Sequence, residues 1–161
     1  PVMICSYSLC QGLFLGGVTW AYEQYFPGIG ILAVVLTLGI LGAMLTIYRA
    51  GLISWSKNLQ IAVMSALTAI LMIYLISFIG VFVGFEVPYI HEASPIGILF
   101  SLFVICIASL CLVADFDFIE RGVERGAPKQ LEWRAAFGLM VTLVWLYLEI
   151  LELLAKVASR R

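Results

Sequence analysis

Charged residues are scarce in this 161-residue chain: Asp, Glu, Lys and Arg make up 12% of it, whereas a soluble domain carries about 25%. The hydrophobic fraction is 63%, more than a soluble fold of this size can hide, because small domains bury only about 70% of their unfolded surface. Disordered chains are polar and charged, so the composition also excludes disorder. A formal net charge of −1 without a basic stripe excludes nucleic-acid binding. The composition therefore predicts an integral membrane protein.

Histidine and paired cysteines are also lacking. His91 is the only histidine, whereas a Ser-His-Asp triad or a His-based metal site needs an imidazole among its other groups. No two cysteines form a CxxC pair, and free cysteines in apolar stretches usually behave as small hydrophobic residues. The four cysteines are Cys5, Cys10, Cys106 and Cys111. These absences argue against an enzyme and against a protein-bound cofactor or metal.

Long charge-free runs fill most of the chain, and about 20 apolar residues cross a bilayer as a helix. A membrane barrel would need segments of about ten residues that alternate in polarity, whereas these runs are continuous. They predict five helices, at about 2–22, 29–48, 59–84, 96–119 and 131–157. No linker divides the chain, so we expect an all-α, polytopic transmembrane helix bundle that forms one domain over residues 1–161.

The first residue is Pro1 rather than Met, and no basic leader precedes the first apolar run. A secretory signal would have such a leader. We therefore expect the sequence to be the C-terminal part of a longer chain.

Charges between the predicted helices indicate how the chain crosses the membrane, because cytoplasmic loops are rich in Lys and Arg. The second and fourth loops, with their flanks, contain the basic residues Arg49, Lys57, Arg121, Arg125, Lys129 and Arg134. The first and third contain the acidic residues Glu23, Glu86 and Glu92 together with His91. This alternation places the N-terminus inside.

The basic tail conflicts with that orientation, since a fifth crossing carries Lys156, Arg160 and Arg161 outside. We expect a full crossing because 131–155 is long enough. A re-entrant last helix is the alternative.

Small residues recur at helical spacing. Gly12 and Gly16 form one GxxxG pattern, and Gly80 and Gly84 form another. Such residues allow close approach of helix backbones in lipid, so we predict that these glycines face neighbouring helices.

Two acidic residues interrupt the last apolar run. Glu149 and Glu152 are three residues apart and share a helix face. Lys156 follows Glu152 by four residues, so it could extend toward the membrane interface and pair with it. Glu149 has no basic residue four positions away and should face the bundle interior, because an ionisable side chain in lipid is costly.

Further acids lie near the end of the fourth predicted helix. We expect Asp117 and Glu120 to be solvated at the helix end. Asp115 should lie a few residues inside the cytoplasmic boundary, in a segment that still touches lipid.

Several segments resemble one membrane-protein family. Leu146-Tyr147-Leu148-Glu149-Ile150 resembles the Leu-Tyr-Leu-Asp-Ile signature in the last helix of the Bax inhibitor family. The stretch 10–16 is similar to its Glu-Gly-Leu-x-Leu-Gly segment, and 113–115 to the Tyr-Asp end of its sixth helix. The run 114–122, followed by Glu132-Trp133, resembles a bacterial branch. The resemblance covers the chain but only the last five of the family's seven helices.

The resemblance implies a calcium-permeable leak protein whose opening depends on pH, with calcium as the transported ion. Two carboxylates on the last two helices, here Asp115 and Glu149, would share a proton and gate the pore. Asp117, Glu152 and Gln11 are further candidates for the ion pathway. Gln11 stands where the family has Glu, and Glu149 where it has Asp.

The resemblance equally implies an alternative, a stress or cell-death regulator that binds other membrane proteins without transport. Either protein would lie in the lipid bilayer, and the bacterial branch implies the inner membrane.

Asp115 and Glu149 can share a proton only if the two carboxyl groups lie at the same depth in the membrane. If the chain turns at 126–128, Asp115 and Glu149 differ in depth by roughly 15 Å at 1.5 Å per helical residue. They meet only if 122–137 forms a surface segment and Gly138 begins the true crossing.

Overall fold

The computed structural model describes residues 1–85 and 93–160, and within these ranges the chain forms five helices and no strand. The helices are α1 (Val2–Tyr25), α2 (Ile29–Arg49), α3 (Lys57–Val83), α4 (Pro95–Glu124) and α5 (Gln130–Ser159). All five are long and apolar enough to cross a membrane. The predicted helical bundle is confirmed. The largest difference in bounds is at the end of α4, which continues to Glu124 rather than 119.

Local sequence explains where several helices begin. The Ser56 hydroxyl accepts a hydrogen bond from the Leu59 N–H at 3.3 Å, and the Ser94 hydroxyl accepts one from the Gly97 N–H at 3.1 Å. Both serines thereby satisfy a backbone donor that a helix start leaves unpaired. Gly28, in the turn between α1 and α2, has a φ of 83°, which glycine adopts without a Cβ penalty.

Helix α4 lies at the centre of the bundle. It packs against α2, α3 and α5, while α1 packs against α2 and α5. Nine residues of α4 are buried and none of α1. Leu112 of α4 and Leu146 and Leu151 of α5 are completely buried between the helices. Most large apolar side chains of α1 and α3 instead cover the outer surface, as expected where lipid is the solvent.

The pairing of α4 with α5 defines the path of the last helix. Near the start of α4, Gly97 and Ser101 contact Lys156. Near its end, Asp115 lies beside Gly138. The two helices are therefore antiparallel over their length, and α5 is a continuous helix that is long and apolar enough for the predicted full crossing. We call this contact the α4–α5 seam.

The surface segment considered for 122–137 is not formed, because α5 begins at Gln130 directly after a short turn.

Part of the charge pattern that predicted the orientation of the chain falls on residues outside the described ranges. Glu86, His91, Glu92 and Arg161 lie outside the described residues.

The packing prediction is wrong for three of the four glycines. Apart from the adjoining residues and backbone of the same helix, no described atom lies within 4 Å of a Cβ added at Gly12, Gly16 or Gly84. Gly84 instead ends α3 with a φ of 79°. Gly80 is buried, and an added Cβ would first meet the carbonyl oxygen of Phe85, in the turn after its own helix.

A close approach of two helices lies instead at Gly30, which the GxxxG pattern did not single out. A Cβ there would lie 2.5 Å from the Thr19 methyl group of α1. A spacing pattern indicates which residues share a helix face, but not whether that face contacts another helix.

Candidate functional site in the α4–α5 seam

Glu149 is an acidic residue inside the bundle, with 6% of its surface exposed. The Tyr74 hydroxyl of α3 donates a hydrogen bond to Glu149 Oε1 at 2.6 Å. The Trp145 indole N–H, one turn earlier on α5, donates to the same oxygen at 3.3 Å. The predicted inward orientation of Glu149 is confirmed. Both of these donors are neutral, and within the described ranges no ion pair cancels a charge on this carboxylate.

Asp115 occupies a second position in the seam, where it is half-buried. Its Oδ2 atom is fully buried and has no hydrogen-bond partner among the described residues. Its Oδ1 atom lies 3.6 Å from the position of a Cβ added at Gly138, and Thr142 lies beside the carboxyl group. An acidic oxygen without a donor is costly in an apolar interior, so Asp115 is a functional candidate in its own right.

The structure does not bring these two carboxyl groups together. Asp115 lies at the level of Thr142, and Glu149 follows Thr142 by seven residues on a continuous helix. At 1.5 Å per residue this is about 10 Å along α5. No hydrogen bond joins Asp115 to Glu149 within the described parts of the chain. The shared proton that the resemblance implied is not formed in this arrangement, because the surface segment that it required is part of α5.

A third polar position lies one turn beyond Glu149. The Lys156 ammonium nitrogen lies 3.0 Å from Glu152 Oε1, which confirms the predicted pairing. The Lys156 side chain is nevertheless buried, with 5% of its surface exposed. It donates to the Ser101 hydroxyl at 2.8 Å and to the Gly97 carbonyl at 3.4 Å. The basic residue is thus part of the seam.

Near the other end of the seam, two further acids have partners. Asp117 forms an ion pair with Arg121 at 2.9 Å and its side chain is 17% exposed. It is therefore less solvated than expected. Glu120 is exposed, as expected, and accepts a hydrogen bond from the Tyr48 hydroxyl of α2. Neither acid joins Asp115.

Gln11 lies on α1, which runs parallel to α5. The Ser8 hydroxyl contacts the Met140 sulfur at 3.1 Å, and the Thr19 and Tyr147 hydroxyl groups are 2.7 Å apart. Gln11 is half-buried between these two contacts. None of the described hydrogen bonds involves its side chain, so nothing in the described residues ties Gln11 to an acidic position.

The sequence did not single out Tyr74, Trp145 and Ser101, which form hydrogen bonds with the polar side chains of α5. The available signal was weak: each is a hydrogen-bonding residue inside an otherwise apolar run. Buried Tyr and Trp commonly bond a polar partner. Nothing in the order of residues indicates that the partner of Tyr74 lies 75 positions later in the chain.

An apolar groove of about 400 Å³ lies between α3 and α5, and Tyr74 and Trp145 form part of its wall. The remaining lining residues are Met64, Leu67, Thr68, Ile70 and Leu71.

Within the described ranges, no three His, Cys, Asp or Glu side chains cluster as a metal site requires.

A protein-family model described as Bax inhibitor 1 like matches residues 1–159. No curated protein and no solved structure matches the chain. The match covers all five helices and includes Asp115 and Glu149.

Proposed function

The chain belongs to the Bax inhibitor 1 like family, and we propose that this integral membrane protein is a cation leak whose opening depends on pH. Calcium is the proposed transported ion, and the bacterial inner membrane the proposed location. The supporting observation is Glu149, an acid buried among apolar helices with neutral hydrogen-bond donors. Ionisable residues inside a membrane helix mark ion or proton pathways by default.

The acids of the seam supply oxygen atoms at successive depths. Glu152 and Glu149 are one turn apart on α5, and Asp115 lies about 10 Å further along, near Thr142. Hard cations such as Ca²⁺ prefer oxygen ligands. A cation that moves along the seam would therefore meet a carboxylate at each of three levels.

Protonation of Glu149 offers a direct route to gating. A carboxylate accepts hydrogen bonds strongly, whereas a protonated carboxyl group is a weaker acceptor. Added acid would thus weaken the bond from Tyr74. Among the described helices α3 packs closely on α4 alone, so that bond is the polar connection from α3 to α5. Its weakening would let α3 move away from the seam.

Other ionisable groups lie close enough to influence this step. Glu152 and Lys156 on α5 interact electrostatically with Glu149, and so does Tyr22 of α1. Glu152 forms an ion pair with Lys156, whereas both described hydrogen-bond donors of Glu149 are neutral. In this proposal Glu149 is therefore the group whose charge changes.

Calcium flux into liposomes tests the proposal. Acidification should change the flux through the wild-type protein, and Glu149→Gln should abolish the pH response because the amide keeps the size but cannot titrate. Glu132→Gln is the matched control, since Glu132 is exposed in the first turn of α5. An unchanged pH profile in Glu149→Gln would remove Glu149 from the mechanism. Absence of flux at every pH would overturn the leak itself.

The second candidate function is regulation by binding other membrane proteins, and α1 favours it. No residue of α1 is buried, and Gly12 and Gly16 have open space around them. A helix with small residues on an open face suits close contact with another helix. Under this proposal the partners are membrane proteins, and substitutions at Gly12 or Gly16 would weaken their binding without altering flux. We propose an enzymatic role in neither case.

A further inference from the structure

We infer that the groove between α3 and α5 binds a hydrophobic amine, whose apolar part lies along α3 and whose ammonium group pairs with Glu149. The groove has a volume of about 400 Å³. Tyr74 and Trp145 line it, and both donate hydrogen bonds to Glu149. Small-molecule sites are commonly apolar clefts of this size with a few converging polar groups. Binding at this groove is independent of the proposed leak.

The long wall of the groove suits an apolar chain or ring. Its α3 residues extend from Met64 to Tyr74, which is about 15 Å at 1.5 Å per residue. They are apolar apart from Thr68 and Tyr74. The Thr68 hydroxyl donates to the Met64 carbonyl of its own helix at 2.9 Å. Burial of an apolar group is therefore the main gain along this wall.

The groove is open to the bilayer because α3 and α5 do not approach each other closely. Among the described helices, α3 packs its backbone on α4, and the side chains of Tyr74 and Trp145 cross the gap to α5. Met64 and Leu71, which line the groove, are exposed on the outer surface of the bundle. A ligand dissolved in the bilayer therefore reaches the groove directly.

The charge behind the aromatic wall selects a cation. Tyr74 and Trp145 both donate to Oε1 of Glu149, and none of the described hydrogen bonds ends on Oε2. Oε1 can keep these two bonds while Oε2 accepts one from an ammonium group. A carboxylate attracts a cation, repels an anion and gains nothing from a hydrocarbon. Because an unpaired charge in a membrane helix is costly, a partner of opposite charge is favoured.

The lining favours an organic cation over a metal ion. Ca²⁺ takes about six to eight oxygen ligands, whereas the groove and the acid behind it offer the Glu149 carboxylate and the hydroxyl groups of Thr68 and Tyr74. An ammonium group needs fewer oxygen atoms, and the faces of Trp and Tyr rings attract it. Both kinds of ring line this groove. The ligand chemistry is therefore that of an amine with an apolar tail.

The proton balance of binding needs no further reactant. An amine crosses the lipid in its neutral form, because a charged group is costly there. When the Glu149 carboxyl group is protonated, its proton passes to the amine nitrogen. The products are an ammonium group and a carboxylate, so the net charge is unchanged. The charge-assisted hydrogen bond between them is stronger than a bond between neutral groups.

The competing explanation is that only lipid acyl chains fill the groove. Such filling requires apolar contact but no charge. Two probes separate the explanations: 4-phenylbutylamine and 4-phenylbutanol have the same ring and chain, and they end in an amine or a hydroxyl group. A groove that accepts any apolar chain should bind both equally.

The test follows the ¹⁹F resonances of the full chain, labelled with 5-fluorotryptophan, in lipid nanodiscs. Trp145→Phe identifies the Trp145 resonance. Trp20 is exposed on α1 and reports partitioning of the probes into lipid. We expect the amine to shift the Trp145 resonance saturably and the alcohol to bind about tenfold more weakly, as when a neutral hydrogen bond replaces a charged one. Equal affinities would overturn the inference, as would a shift that does not saturate and that matches Trp20.

Two variants test the charge and the groove separately. Glu149→Gln keeps the size and should lower the affinity for the amine to that for the alcohol, whereas Glu132→Gln, at an exposed acid, should not. Leu71→Phe narrows the groove and should weaken binding of both probes. Its matched control is Leu75→Phe, at an exposed leucine one turn further along α3. Unchanged amine affinity in Glu149→Gln would overturn the inference. If that variant unfolds, equal affinities in the two α3 variants would do so.

Flux measurements with equal pH on both sides of the liposome membrane separate this inference from the proposed function. If both are right, saturating 4-phenylbutylamine should abolish the pH response of calcium flux, because the paired Glu149 no longer changes charge. Leu71→Phe should need more amine than Leu75→Phe for the same effect. Saturable binding without flux under any condition would support the groove and contradict the leak. Flux without saturable binding would support the leak and overturn the amine site.

Discussion

The α4–α5 seam and helix α3 are comparably apolar, yet they are held in the bundle in different ways. Nine residues of α4 are buried, whereas α3 has four. The seam extends from Gly97 to Asp115 along α4. Helix α3 packs closely on α4 and reaches α5 through side chains: Tyr74 bonds Glu149, and the Trp145 ring of α5 packs against the apolar cluster between α3 and α4. Apolar surface does not by itself pull helices together in lipid. Tight packing holds the seam, and one hydrogen bond connects α3 to its acidic residue.

The largest effect is expected where a side chain is lost from the seam. Leu112→Ala should destabilise the bundle by about 2–4 kcal/mol, because Leu112 is completely buried and its removal leaves a cavity. Leu13→Ala on α1 is the matched control. Leu13 is 80% exposed, so the expected change is within about 0.5 kcal/mol. Unfolding in mixed micelles measures the free energy of unfolding of both variants. Equal losses of stability would contradict the distinction between a packed seam and an exposed helix.

An intermediate effect is expected at the contact of α1 with α2. Gly30→Ala places a methyl group 2.5 Å from the Thr19 methyl, and Thr19 cannot turn away without disturbing its bond to Tyr147. Crowding of this kind costs about 1–3 kcal/mol. Gly16→Ala, made in open space, should cause no loss, because alanine favours a helix more than glycine does. Destabilisation by Gly16→Ala and not by Gly30→Ala would reverse the assignment of the close contact.

The smallest effect is expected for α3. Tyr74→Phe removes the bond to Glu149 and should cost about 0.6 kcal/mol, the average for hydrogen bonds between membrane helices. The distance between spin labels on α3 and α5 should become more broadly distributed. Tyr25→Phe, at a tyrosine that is 80% exposed, should alter neither quantity. An unchanged distance distribution in Tyr74→Phe would show that α3 is held by its packing on α4.

Local relationships in the sequence were predictable. Glu152 and Lys156 are four residues apart on one helix, and they form the expected ion pair. Glu149 lacks a basic residue at that spacing, and it faces inward. Both outcomes depend on the geometry of a single helix. For Asp115, a count of residues to the turn left two outcomes open, a separation from Glu149 or, with a surface segment at 122–137, a contact.

Relationships between helices were not predictable in the same way. The glycine spacing was correct as a pattern, but Gly12 and Gly16 face open space while Gly30 makes the close contact. One residue turns a helix face by about 100°, because a helical turn contains 3.6 residues. A pattern of small residues therefore identifies a shared face without identifying its neighbour.

The sequence by itself determined the membrane environment, the five helices and the inward position of Glu149. The length of an apolar run is compared directly with the bilayer thickness, and each helix satisfies its own backbone hydrogen bonds. Only the tertiary structure decided that Tyr74 holds Glu149, that Asp115 lies apart from it, and that Lys156 is buried against Ser101. These contacts depend on the rotation and axial offset of neighbouring helices, which packing over the whole bundle sets.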